Sequence, residues 1–268
     1  MNRLSLAPLT INQAGPLELI AAAAGGFDAV SLRVIGAPGV EAVAPLAGDT
    51  ALIAAIRKRL DDCGVGVYSA TGIWLAPDFA VASVEPALAV AAELGASHCL
   101  AVGYDDDRPR LVANFAALCQ MAARYGLTIA LEFMPYIPVN NLAEAARLVR
   151  EAGEPNAGLV IDTLHLARSG GTPADVAAVE RERIAYVQLC DAPRVRPPEL
   201  ARRDESLHHR LYPGEGELPL FELMDALPAD VTIDLEVPCA ADAHLSFTER
   251  SRRAGEATRR FLERYRAR

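Results

Sequence analysis

Four apolar runs of this chain end on, or next to, a side chain that can hold a proton or a metal ion. "TIALE" closes on Glu132, "GLVID" on Asp162 and "TIDLE" on Glu236, while "IAYVQL" carries Gln188 just before its last position. His165 follows Asp162 by three residues. Taken alone, any one of these carboxylates reads equally well as a helix cap or an arginine partner. Three that converge on one point repel each other unless a cation sits between them, and a divalent metal ion is the simplest solution. The expected ligands are Glu132, Asp162, Gln188 and Glu236. Three carboxylates and an amide carbonyl form an oxygen-rich shell, which suits Mn²⁺ or Mg²⁺ ahead of Co²⁺ or Zn²⁺. Such an ion acidifies the C–H beside the ketone of a polyhydroxylated substrate, so that a carboxylate can remove the proton. His165, expected on the loop just past its strand, could hydrogen-bond the substrate or carry a proton; the alternative is a surface histidine.

Convergence depends on the elements that carry these residues. Eight short apolar runs bounded by turn residues recur, near residues 3–9, 28–34, 66–72, 98–104, 128–134, 158–164, 185–191 and 232–238. Segments of helical spacing lie between them, at 49–64, 86–95, 110–126 and 142–153, with another closing the chain. Asp49 or Thr50 is a cap for the first of these and Gly64 its stop. Near-continuous apolar strands separated by helices imply a parallel sheet covered on its outer face. Eight such units in 268 residues fit an α/β chain folded as a single (β/α)8 TIM barrel over residues 1–268, whose chemistry would sit at the C-terminal ends of the strands. A doubly wound open sheet is the alternative.

A formal net charge of −9 argues against a protein that neutralises many phosphates of DNA or RNA, so the expected partner is a small molecule. The five cysteines are scattered without a C-x-x-C pair and read as reduced thiols. No run reaches the 18 or so apolar residues of a membrane span, and no leader precedes the first strand, so no membrane association and a cytoplasmic location are expected.

Successive strand-end groups are 30 and 26 residues apart from Glu132 to Asp162 to Gln188, but 48 separate Gln188 from Glu236. The extra length after the seventh strand is rich in arginine, and a lid that offers arginine to an anionic substrate is one reading, with Arg194 and Arg210 its candidates; a solvated loop is the other. Within it "YPGEGELPL" reads as a tight turn entering a helix, with a phosphate cradle as the alternative. Arg33, at the end of the second strand, and Trp74 with Tyr136 are further candidates to line a substrate pocket. The arginines of the last segment read as the solvated face of a helix.

Across nearly its whole length the chain resembles the xylose isomerase-like barrels, often described as sugar phosphate isomerases/epimerases. The resemblance lies in "LEFMP" with Glu132, "IDTLH" with Asp162 and His165, "VQLCDAP" with Gln188 and Asp191, and "DLEVP" with Glu236. It implies a metal-dependent isomerase or epimerase in which Glu132 and Glu236 act as acid and base, and a homodimer paired through rim loops. Gln188 stands where keto-sugar epimerases usually carry histidine, and the resulting Glu, Asp, Gln, Glu set resembles that of metal-dependent 3-dehydroshikimate dehydratases. Pro138 stands where the epimerases often carry a further acid. The alternative implied is therefore a dehydratase of a cyclic hydroxy ketone, such as 3-dehydroshikimate or an inosose, with His165 as proton donor to the leaving group. The related DNA-repair endonucleases would need many strand-end histidines and a basic face; five histidines and the acidic charge argue against them.

Overall fold

All eight apolar runs become strands, and they close on themselves. The computed structural model describes residues 2–35 and 46–268. Strands β1 (Leu4–Leu6), β2 (Ala29–Arg33), β3 (Gly66–Leu75), β4 (His98–Gly103), β5 (Thr128–Glu132), β6 (Ala157–Asp162), β7 (Ile184–Leu189) and β8 (Ile233–Leu235) form a closed barrel in chain order. Every pairing is parallel, including β8 on β1. Parallel neighbours require long crossovers, and helices supply them. They are α1 (Pro16–Ala23), α2 (Thr50–Cys63), α3 (Val81–Glu93), α4 (Arg108–Ala123) and α5 (Leu142–Ala152). Two helices follow β6, α6 (Thr163–Arg168) and α7 (Pro173–Ala177), and two follow β7, α8 (Arg202–His208) and α9 (Leu220–Ala226); α10 (Phe247–Arg266) closes the ring.

Local signals account for these helices. Asp49 accepts the Leu52 N–H at the start of α2, and Gly64 ends it with a φ of 63°, a left-handed conformation that glycine adopts without steric penalty. Asn141 caps α5 in the same way through the Glu144 N–H. The start expected at Pro86 is corrected: α3 begins at Val81 and runs through the proline. No helix was expected at α1, whose eight residues are too few to show a clear period. In α10, Arg250 is an exception to the solvated face, because it is buried and donates to the Thr10 carbonyl at 2.7 Å.

Two apolar layers hold the fold. The larger lies between strands and helices, where Phe115 and Leu118 of α4 and Ile56 of α2 are fully enclosed. The smaller fills the barrel itself, with Tyr68, Leu100, Val160 and Tyr186. Each such side chain contributes about 1.5–3 kcal/mol through burial. All five cysteines are free thiols. No helix among the described residues is long and apolar enough to cross a membrane.

The glycine-rich turn does cradle an anion, but the anion belongs to the chain. The Asp191 carboxylate accepts the backbone N–H groups of Gly214, Gly216 and Leu218 at 3.0 Å each, and that of Ala192 at 2.8 Å. The turn therefore leads into α9 wrapped around a side chain from the end of β7. A Cβ at Gly216 would collide with this carboxylate and with the Ala192 backbone. Gly216→Ala should lower the unfolding free energy by about 2 kcal/mol or more, read by urea denaturation; a loss below about 0.5 kcal/mol would contradict the packing described.

Candidate active site

Strand register gathers the polar residues at one end of the barrel. Val102 pairs with Glu132, Asp162 with Gln188, and Gln188 with Asp234, two residues before Glu236. Two threonines tie the strand ends together. Thr163 Oγ1 donates to the Cys190 carbonyl at 2.8 Å and accepts the Cys190 N–H at 2.9 Å, which fixes the ends of β6 and β7 against each other. Thr10 Oγ1 does the same on either side of Glu236, donating to the Leu235 carbonyl and accepting from the Val237 N–H.

Asp162 has two partners. Its Oδ1 accepts the His165 N–H at 2.8 Å, so it is the N-cap of α6, and its Oδ2 accepts from Arg210 Nη1 at 2.6 Å. The cap turns the chain into a helix immediately, which corrects the loop expected at His165: that residue is buried within α6. Arg210 Nη2 also reaches Glu236 Oε2 at 3.1 Å. The expectation of three unpaired carboxylates is corrected accordingly, since one guanidinium serves two of them. Arg210 is only 1% exposed, so it lies beneath the pocket mouth as part of the floor and is not a lid arginine. Glu132 has no such partner among the described residues; the His165 ring lies beside it, with Nε2 to Oε1 at 3.7 Å.

Glu132, Asp162 and His165 present ligand atoms that lie within 4.8 Å of one another. Gln188 Nε2 donates to Glu236 Oε1 at 3.2 Å, while Gln188 Oε1 is buried without a partner, as is His165 Nδ1. The ligand set expected from sequence and the cluster of ligand atoms thus share Glu132 and Asp162; His165 joins the cluster, and Glu236 faces Arg210 and Gln188. Burial shifts every ionisable group here. It raises the Glu132 carboxyl well above the usual range, with the Glu236 and Asp162 charges adding and Arg210 opposing. Burial likewise lifts Glu236 to about 7 against the pull of Arg210. At Asp162 burial also works upward, but Arg210 and His165 hold the carboxyl below its usual value. His165 is lowered to about 4, first by burial and then by Arg210, which keeps the imidazole neutral.

Above this floor lies a pocket of about 140 Å³. Arg33, Trp74, Tyr136, Met134, Arg203 and Leu207 line it together with Glu132, His165, Gln188, Arg210 and Glu236. Arg33 donates to the Asn12 side chain at 2.6 Å and, like Arg203, has no carboxylate ion-pair partner among the described residues. Arg194 is the expectation that fails: it does not line the pocket, its N–H donates to Glu217, and its carbonyl accepts from Arg168. Arg203, one of the arginines of the long seventh loop, and Ser206, both on α8, line the pocket in place of Arg194. Larger hollows exist, about 460 Å³ between α5 and α7 and about 760 Å³ at the opposite end of the barrel, but the gathered carboxylates and imidazole are here.

Residues 19–264 match the family described as xylose isomerase-like TIM barrel. The chain belongs to that family. Among curated relatives it is similar to the 3-dehydroshikimate dehydratase of Pseudomonas aeruginosa, 35% identical over 114 residues, which is 42% of this chain and 18% of that protein. It is also similar to the inosose isomerase of Bacillus subtilis, 29% identical over 112 residues, covering 41% of this chain and 38% of the relative. The matched part thus spans less than two fifths of either relative's length. Among solved structures, the IOLI protein with a bound zinc atom superposes with a TM-score of 0.79 at 19% identity, covering 98% of this chain and 99% of that one. The probable 3-DHS dehydratase AsbF of Bacillus anthracis gives 0.76 at 12% identity, covering 97% and 99%. These named relatives are enzymes; the two structures, at such low identity, share the fold with this barrel.

The raised Glu236 carboxyl has a stability consequence with a definite sign. An acid whose folded pKa lies above its unfolded value binds more protons when folded, so stability falls as pH rises from about 4.5 through about 7. Glu236→Gln removes that term. In chelator-treated protein, the wild type should lose about 2 kcal/mol relative to Glu236→Gln between pH 4.5 and 7.5, read from paired denaturation curves; parallel pH profiles would contradict the assignment.

Proposed function

We propose that this barrel is a divalent-metal-dependent enzyme that removes the proton beside the ketone of a small cyclic hydroxy ketone bearing a carboxylate, and then expels a β-hydroxyl as water. The observation that carries the reading is the division of charge in the pocket. Its floor holds Glu132 and Glu236, with Asp162 buried beneath them, while Arg33 and Arg203 line it without carboxylate partners among the described residues. A carboxylate-rich floor repels an anionic substrate, so free guanidinium groups in the lining are useful when the far end of that substrate is anionic.

The donor set suits a divalent ion. Three carboxylates against the one guanidinium of Arg210 leave two negative charges, which one such ion balances. Gln188 Oε1 and His165 Nδ1 are buried polar atoms in need of a partner. Glu132, Asp162, Gln188 and Glu236 would hold the ion, with His165 beside them, and the oxygen-rich shell favours Mn²⁺ or Mg²⁺. When bound, the ion supplies the charge that acidifies the C–H next to a ketone.

The chain's own groups would move the protons. Glu236, held beside Arg210 and Gln188, would take the proton from carbon and give it up again. His165 would pass the proton on one ring nitrogen to the departing hydroxyl while its other nitrogen takes one up, so the ring stays neutral, the hydroxyl leaves as water and the proton that Glu236 takes from carbon makes up the balance. Arg33 orients the substrate through its carboxylate, and the rings of Trp74 and Tyr136 help to keep bulk water out. Isomerisation or epimerisation shares the first step and differs in where the proton returns. Between the two kinds of relative, 3-dehydroshikimate carries a carboxylate and an inosose does not, so Arg33, which has no carboxylate partner among the described residues, and the amide at Gln188 favour the dehydratase course. The substrate is a small molecule, and we place the reaction in the cytoplasm.

The protein should be incubated with Mn²⁺ in D₂O with 3-dehydroshikimate, inososes, keto-sugars and their phosphates, and the products weighed by mass spectrometry. Metal-dependent loss of one water from 3-dehydroshikimate is expected. Glu236→Gln should lower the rate by about 10³-fold with an unchanged circular dichroism spectrum, and Arg33→Met should raise KM about 10- to 100-fold. A keto-sugar recovered one deuteron heavier, with 3-dehydroshikimate untouched, would replace the proposal with an isomerase or epimerase.

A further inference from the structure

Helix α8 is docked by its polar face. Its buried residues are Glu205 and Ser206, and it buries no apolar side chain. Between Asp191 and α9 the buried apolar residues are Ala192, Tyr212 and Pro213, all outside α8. Hydrophobic contact, which is tolerant of small displacements, therefore does little to set where this segment sits; directional polar bonds do. Glu205 meets Arg168, the last residue of α6, in a two-point pair: Nε to Oε2 at 2.9 Å and Nη2 to Oε1 at 2.7 Å. The two side chains are 7% and 1% exposed. The same guanidinium donates to the Pro193 carbonyl at 2.8 Å and to the Arg194 carbonyl at 3.2 Å, so it holds the start of the loop as well as its helix.

We infer that Arg168 and Glu205 form a latch that positions α8 and, through it, Arg210. The next residue along, Ser206, accepts Arg210 Nε at its carbonyl at 2.9 Å, and its hydroxyl bonds the Tyr136 hydroxyl at 2.8 Å. Helix α6 is thus fastened to the loop at both ends: Asp162 at its N-terminus takes Arg210, and Arg168 at its C-terminus takes Glu205. One short helix relates the carboxylate, the imidazole of His165 and the loop to each other. A fork-to-carboxylate pair is suited to this because it fixes orientation as well as distance. Loss of the pair leaves Arg210 bound to its carboxylates but frees the helix that aligns it and that brings Arg203 and Leu207 to the pocket.

The activity part of this inference rests on the proposed reaction; the structural part does not, and the test separates them. Arg168→Gln, Glu205→Gln, the double variant and the milder Arg168→Lys are compared with wild type by amide hydrogen exchange and by steady-state kinetics. Exchange in residues 202–209 should quicken about 10-fold or more in either Gln variant, with the barrel strands unchanged. kcat should fall about 10- to 100-fold, the double variant should be no slower than the worse single one, and Arg168→Lys should lie between. Unchanged exchange at 202–209 overturns the latch, and faster exchange with kcat within about twofold of wild type overturns its positioning role. If wild type turns over no substrate, the proposed reaction fails and the exchange result alone decides whether the pair fixes α8.

Discussion

The arrangement at the mouth of this barrel depends on the guanidinium of Arg210. It lies 2.6 Å from Asp162 and 3.1 Å from Glu236, joining the ends of β6 and β8 through one planar group. Its Nε is held by Ser206 and its backbone N–H by the Pro238 carbonyl at 3.1 Å. An arginine so deeply enclosed would be costly alone, as would either carboxylate; together they neutralise part of a charge that the strand register makes unavoidable. The compensation is incomplete by design of the residue set. Glu132 has no guanidinium beside it among the described residues; burial, and after it the Glu236 and Asp162 charges, make its carboxyl reluctant to ionise, and the Gln188 carbonyl nearby is unpartnered.

Much of this was readable from the chain. Parallel strands buried on both faces are apolar throughout, so a carboxylate or amide at the end of "GLVID" or "IAYVQL" stands out, and the barrel then brings such positions together. The helix announced by Asp49 and Gly64 was legible from its own local signals. Arg210 was singled out as a substrate-facing lid residue, yet it is an ion-paired floor residue, because its partner Asp162 lies 48 positions away and no local pattern encodes that pairing. Arg194 shows the converse: it is near β7 in sequence, but the chain turns outward there. The Arg168–Glu205 pair, 37 residues apart, had no signature at all. For Asp162 the cap and the arginine partner were both open readings beside that of a ligand, and the structure shows the first two together.

The polar character of β8 continues below the site. Asp234 is fully buried, accepts from Ser31 at 2.9 Å, and is raised to about 6 by burial against the Ser5 and Ser31 hydroxyls. Two inward carboxylates on one strand weaken the barrel interior, and the apolar shell between strands and helices must offset them. Stability and chemistry are thereby assigned to different layers: the outer shell holds the fold, while strand ends and the loops after β6 and β7 arrange charge.

The most direct test is the number of protons released when Mn²⁺ binds. Buried carboxyls that stay protonated for want of a cation must give up their protons to one that arrives. Titration calorimetry at pH 6.5 in buffers of different ionisation enthalpy should show one Mn²⁺ per chain and release of at least about one proton, reduced in Glu132→Gln. Saturable binding with no proton release, or no binding at all, would contradict the charge balance on which this account of the site rests.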